Sequence, residues 1–183
     1  MTADFVLPGP EMLKQIALLK GLTEAECRQV AEIAAVVDFQ PGEIVLHQGQ
    51  RGQRLWILLE GKCEVFIPAS NGNVNRQLVV LATLEPFSNF GEMSFFDGAP
   101  HSASVRAQTP VRLWRIEREQ FDVLLTKQSA AAQKLILNTV GNLAGRLRRM
   151  DEWVTDLVAK NQIDQHVPEW KKLREQLFDG FKA

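Results

Sequence analysis

Apolar positions recur with a helical period at both ends of the chain and with a strand-like grammar between them. Leu13, Ile16, Ala17 and Leu19 keep a helical spacing that ends near Gly21. Thr23 followed by Glu26 is a capping box, in which the hydroxyl meets an orphan amide and the carboxylate reaches back. Behind it Val30, Ile33, Ala34 and Val37 form a stripe that predicts a helix packed on a sheet. The pattern changes at Asp38, where Phe39-Gln40-Pro41-Gly42-Glu43 is a turn signal. Short apolar runs follow at 44–46, 55–59, 63–67, 78–84, 102–107 and 111–116. Polar, glycine-containing breaks separate them at 48–53 and 60–61, and 68–76 with Asn71-Gly72 reads as a hairpin loop. Short strands at intervals of about ten residues predict an antiparallel roll or barrel. The expected class is α+β, mainly β: a jelly-roll or cupin-like β-roll flanked by N-terminal helices and a long C-terminal helix.

The helical period returns at 117–126, with Phe121, Leu124 and Leu125 on one side, and again over 129–160. Within the second helix Ile136, Val140, Leu143, Leu147, Met150, Val154 and Leu157 alternate steps of four and three. That is the seam of a two-stranded coiled coil, because a 3.5-residue period keeps one stripe facing a partner. The competing reading packs the stripe on its own roll, and Leu135, Leu137 and Val158 beside it would let one helix do both. Pro168 opens a last helical pattern with Trp170, Leu173, Leu177 and Phe178. The expected division is a roll at 1–127, a dimerisation helix at 128–160 and a short tail or helix at 161–183.

Composition narrows the classes. The chain has 183 residues, 45% hydrophobic and 23% charged, with 21 Lys+Arg against 22 Asp+Glu. A net charge of −1 gives no global electrostatic case for nucleic acid or an anionic membrane. No apolar run reaches the roughly 18–20 residues of a membrane span, and Met1–Pro10 lacks the character of a signal peptide. Two cysteines, Cys27 and Cys63, cannot build a disulfide scaffold, so a reduced, cytoplasmic protein is expected. The chain carries no G-x-S-x-G, Walker or H-E-x-x-H motif. His47, His101 and His166 lack the close spacing of a metal site. The expectation is a protein that is not an enzyme and has no metal or cofactor.

The candidate chemistry lies in Phe90-Gly91-Glu92-Met93-Ser94-Phe95-Phe96-Asp97-Gly98-Ala99-Pro100-His101-Ser102, followed by Ala103 to Ala107. Gly91 lets backbone approach a ligand closely, and Glu92 to Phe96 can form one helical turn whose first amides are anion donors. A carboxylate at Glu92 suits a pair of sugar hydroxyls, and His101 and Ser102 return to the same place on the next strand. The candidate ligand residues are therefore Gly91, Glu92, Met93, Ser94, His101 and Ser102.

With Phe39-x-Pro41-Gly42-Glu43, Gly49, Leu58-Leu59-Glu60-Gly61-Lys62, Phe90-Gly91-Glu92 and Pro100 in register, the chain resembles the cyclic nucleotide-binding domain family over roughly residues 11–160. This is the β-roll of the catabolite activator and protein kinase A regulatory-subunit type. The resemblance implies that the turn at Gly91–Phe96 is a phosphate-binding cassette, with Glu92 on the ribose 2′-hydroxyl, and that the long helix is dimer helix and lid. It implies a regulatory sensor for cyclic AMP or another cyclic nucleotide, working as a homodimer that signals to an unidentified downstream protein. DNA-binding members carry a helix-turn-helix domain after the long helix, which residues 161–183 are too short to supply, so neither DNA nor membrane is an expected partner.

Two departures stand out. Where ligand-binding members carry an arginine after the cassette proline, this chain has His101. Arginine is always charged and presents a fork, whereas an ordinary imidazole is mostly neutral above pH ~6.5 and donates singly. Arg106, at odd strand separation from His101, is expected to face the other way. On the long helix, the positions that touch adenine in catabolite activators align with Met150 and Asp151, with Trp153 nearby as a lid or as plain packing. The alternative reading is a roll that has lost its ligand and serves as a dimeric interaction module.

Overall fold

The computed structural model describes residues 10–68 and 78–160. The expected loop beyond Pro68, the tail from 161 and the side chains of Leu157 and Val158 lie outside the described residues. The chain divides into two compact units, Met1–Val140 and Gly141–Ala183. One helix runs through the boundary.

The first unit opens with α1 (Pro10–Gln15), a 3₁₀ turn at Ala17–Leu19 and α2 (Glu24–Glu32). Eight strands follow: β1 (Ala34–Phe39), β2 (Ile44–Leu46), β3 (Arg54–Glu60), β4 (Cys63–Pro68), β5 (Leu78–Leu84), β6 (Asn89–Phe90), β7 (Ser104–Ala107) and β8 (Val111–Glu117). Helix α3 (Glu92–Asp97) interrupts them between β6 and β7, and α4 (Arg118–Thr126) and α5 (Ala130–Lys160) close the described chain. The strands form two antiparallel four-stranded sheets, ordered β1-β8-β3-β6 and β2-β7-β4-β5. This is the expected β-roll with flanking helices.

The alternation of β3 organises the core. Leu55, Ile57 and Leu59 point from the first sheet to the helices, where they meet Ile16, Leu18, Val30, Phe121 and Leu135. Trp56 and Leu58 point the other way, into the space between the sheets, against Leu46, Cys63, Phe90, Val105 and Leu113. Burying each such side chain contributes roughly 1.5–3 kcal/mol, so this one strand ties both layers together.

The capping box forms as expected: the Glu26 amide donates to Thr23 Oγ1 at 3.3 Å and the Thr23 amide to the Glu26 carboxylate at 2.6 Å. Lys134 of α5 joins it, with Nζ 2.7 Å from Glu26, and this ammonium holds the carboxyl below its ordinary pKa. Asn138 Nδ2 donates to the carbonyls of Leu18 and Lys20 at 2.8 and 2.9 Å. The first ten residues of α5 are thus fastened to the N-terminal helices, and Ile136 packs against the same core.

Two boundaries differ from the sequence reading. Helix α2 ends at Glu32, and Ala34 and Val37 lie on β1, paired with Ile116 and Leu113 of β8. Val36-Val37 is β-branched and gains a full ladder along β8, which outweighs a spacing that also fitted a helix. The seventh strand begins at Ser104 rather than Ser102.

Gly61, between β3 and β4, has φ +83°, and a Cβ there would overlap the carbonyl of Pro110. Left-handed backbone and a fixed carbonyl together make this corner glycine-only. Gly61→Ala is expected to cost about 1–3 kcal/mol. Gly141→Ala, on an exposed helical turn with open space around it, is expected to stabilise by up to about 1 kcal/mol. Urea denaturation of both variants checks the pair; a neutral Gly61→Ala would remove the argument for that corner.

Candidate functional site

Strand β6 is only two residues long, paired through Phe90 to Trp56 and through Asn89 to Ile57. Phe90 also stacks on the Trp56 indole, centroids 6.2 Å apart and 6° from parallel. The chain then turns at Gly91, φ +80°, where a Cβ would lie 2.6 Å from the Arg54 carbonyl oxygen. Only glycine permits this close passage. Beside it the Trp56 indole N–H is buried and, among the described residues, has no hydrogen-bond partner.

Helix α3 follows from Gly91, with the Phe95 amide bonded to the Gly91 carbonyl at 3.0 Å, and ends at Gly98, also left-handed. Glu92, Ser94 and Phe95 are buried, and Met93 is exposed. Asn89 Nδ2 donates to the Glu92 carboxylate at 3.4 Å. Of the seven buried polar side chains among the described residues, five lie between 89 and 104: Asn89, Glu92, Ser94, His101 and Ser104. Buried polar groups cost free energy unless satisfied, so their concentration in one segment marks a site.

The carbonyl end of α3 is clasped from two sides. Arg118, the first residue of α4, donates through Nη1 to the Phe95 carbonyl at 2.9 Å, and Gln53 Nε2 donates to the same oxygen at 3.3 Å. Arg118 is also paired with Asp122 at 2.8 Å, and its own amide donates to the Gln53 carbonyl at 3.0 Å. Below the clasp, Phe95, Phe96 and Phe121 meet edge to face at centroid separations of 5.0 to 6.2 Å. Sequence reading missed Arg118, Gln53 and Phe121 as parts of the site, because only the fold brings them to α3.

His101 is 8% exposed and is bridged to the β2–β3 loop by backbone bonds: its amide donates to the Gln50 carbonyl and its carbonyl accepts from Gly49, each at 2.9 Å. Its Nε2 lies 3.3 Å from where a Gly52 Cβ would stand. Burial, and secondarily the charge of Arg54, push the imidazole below its ordinary pKa. Ser102 is exposed, whereas Ser104, not singled out in the sequence, is buried and accepts from the Gln48 amide at 2.9 Å. Arg106 is committed elsewhere. It pairs with Glu64, which also accepts from Gln108, and these two partners hold the Glu64 carboxyl below its ordinary range. The structure therefore gathers Gly91, Glu92 and Ser94 on one turn, brings His101 to the loop facing it, and leaves Met93 and Ser102 at the surface.

Neither cysteine is prepared for nucleophilic work: both are buried, and burial pushes the Cys63 thiol up to about 11. Among the described residues no helix is long and apolar enough to cross a membrane.

Comparison with known proteins agrees with this geometry. A family model described as "Cyclic nucleotide-binding domain" matches residues 36–128. The CRP-like cAMP-activated global transcriptional regulator of Mycobacterium tuberculosis is 28% identical over 148 residues, 81% of this chain and 62% of that protein. The cAMP-dependent protein kinase regulatory subunit of Dictyostelium discoideum is 29% identical over 62% of this chain and 35% of its own length. Among solved structures, the catabolite activator protein of Thermus thermophilus superposes with a TM-score of 0.67 at 29% identity, covering 78% of this chain and 63% of that one. This chain thus spans less than two thirds of each of these relatives. With a β-roll, a short helix bounded by Gly91 and Gly98 and a family match over residues 36–128, the chain belongs to the cyclic nucleotide-binding domain family.

Proposed function

We propose that the roll is a regulatory sensor, not an enzyme, in which a cyclic nucleotide held at Gly91, Glu92, Ser94 and His101 repositions the C-terminal helices. The observation that carries this reading is the clasp on α3. A ligand that shifts α3 must also shift Arg118 and Phe121, which are the first turns of α4. Three residues, Lys127 to Ser129, separate α4 from α5. The equilibrium moves only as far as the ligand prefers one helix arrangement over the other. Cyclic AMP is the first ligand to test, since two of the relatives carry it in their descriptions.

The reading of α5 as a contact between two copies is supported by its exposed apolar side chains. Val140, Leu147 and Met150 are each at least 45% exposed, although Ile136 of the same stripe is packed into its own unit. Trp153, 63% exposed, belongs to this exposed part of the helix. Leu147→Glu is expected to halve the mass seen by light scattering, and an unchanged dimer would remove the seam from the proposal.

His101 sets the affinity. A charge-assisted hydrogen bond contributes about 1.5–3 kcal/mol, so His101→Arg is expected to tighten cyclic AMP binding about tenfold or more in calorimetry. No binding by either form at millimolar ligand would leave the dimeric interaction module instead. The native histidine also makes binding depend on pH. Its folded pKa is depressed, so the unliganded roll loses stability as pH falls from about 7 toward that pKa, because the unfolded chain takes up the proton first. A bound phosphate favours the imidazolium, so affinity for cyclic AMP is expected to rise over the same fall in pH. Calorimetry across that range checks the sign, and a flat profile would separate His101 from the phosphate.

A further inference from the structure

The β2–β3 loop that bonds to the cassette reads Gly49-Gln50-Arg51-Gly52-Gln53, and Arg54 opens β3; none of these residues is acidic. Among the described residues of the first unit, Arg28, Arg54, Arg106, Arg112, Arg115 and Arg118 each pair with a carboxylate. Arg51 stands apart among these described arginines. It is exposed, and its Nη1 donates to the carbonyl of Gly98 at 2.9 Å, reaching across to the residue that ends α3. Its chain neighbour Gln50 accepts from the His101 amide. Asp97, the last residue of α3, accepts from the Ala99 amide at 2.8 Å. A guanidinium carries five N–H donors in a fixed fork, and one carbonyl uses a single donor without neutralising the charge. The loop therefore presents a cation, without a counter-ion among the described residues, at Gly98, the residue that ends α3 and lies three positions before His101.

We propose that Arg51 is a second anion-binding residue of this cassette, its guanidinium taking a phosphate oxygen of the bound cyclic nucleotide alongside His101. The inference rests on the cyclic-nucleotide reading above. It moves the fixed charge from the strand side of the cassette to the opposing loop. An occupied site would then tie β2–β3 to the end of α3, the same end that Arg118 and Gln53 hold.

The test is calorimetric titration of the wild-type chain, Arg51→Gln and Arg51→Lys with two probes, cyclic AMP and the uncharged adenosine, at low and high salt. Arg51→Gln is expected to weaken cyclic AMP about ten- to hundredfold and to flatten its salt dependence, while Arg51→Lys recovers part of the loss. Adenosine is expected to bind both forms within about twofold, and the salt slope decides if it binds too weakly to measure. Melting of the unliganded variants, expected to match wild type, confirms that the loop is intact. Cyclic AMP binding Arg51→Gln as it binds wild type, with the same salt slope, overturns the inference and leaves the sensor reading standing. Equal losses for both probes make Arg51 a loop brace and overturn it as well. A wild-type chain that binds cyclic AMP no better than adenosine, or not at all, overturns both together.

Discussion

The rest of the site depends on one small constraint: a six-residue helix cannot hold its own carbonyl end, so neighbouring side chains must hold it. Isolated helices of that length are not stable in water, because nucleation costs more than one turn returns. Helix α3 persists because Arg118 and Gln53 take the Phe95 carbonyl and the aromatic triangle with Phe121 fills the space beneath. The same contacts that stabilise the cassette make it inseparable from α4. A segment held only by itself would share no bond with the helices that follow; α3 shares its carbonyl end with the first residue of α4.

The site is also where the interior departs from its apolar rule. Strand β3 buries Leu55 to Leu59 entirely in hydrocarbon, yet the segment from Asn89 to Ser104 buries five polar side chains within sixteen positions. Some are answered locally, as Ser104 is by the Gln48 amide and Glu92 by Asn89. Beside Gly91, the buried indole N–H of Trp56 on β3 has no partner among the described residues. A fold that spends burial on polar groups in one place gains nothing in stability over an apolar core there. The concentration is what singles this segment out as the candidate site.

Much of this was legible in the sequence because it is local. The capping box at Thr23 and Glu26, β2 at 44–46, β5 at 78–84 and the last strand and helices emerge from spacing and turn residues within a few positions of one another. The α2–β1 boundary was not legible. Val30, Ile33, Ala34 and Val37 satisfy a helical stripe, and only the long-range ladder with β8, some eighty residues away, decides the matter. Arg118 and Arg51 were missed for the same reason. Nothing in the sequence around either arginine says that it will meet a carbonyl of the cassette, 23 and 47 positions distant.

Helix α5 shows how one periodic pattern can serve two environments. Its first turns carry Ala131, Ala132 and Leu135, fully buried, with Lys134 and Asn138 fastening it to the N-terminal helices. The stripe of fours and threes continues past them without a break, but from Val140 its members are exposed or only half-buried, with Val140, Leu147 and Met150 each at least 45% exposed. A surface helix that had finished its packing would turn polar all round after that point, since exposed leucine and methionine gain nothing from water. The apolar stripe instead keeps the register in which Ile136 meets the roll. One continuous pattern along α5 thus runs from its buried first turns into side chains that its own unit leaves uncovered.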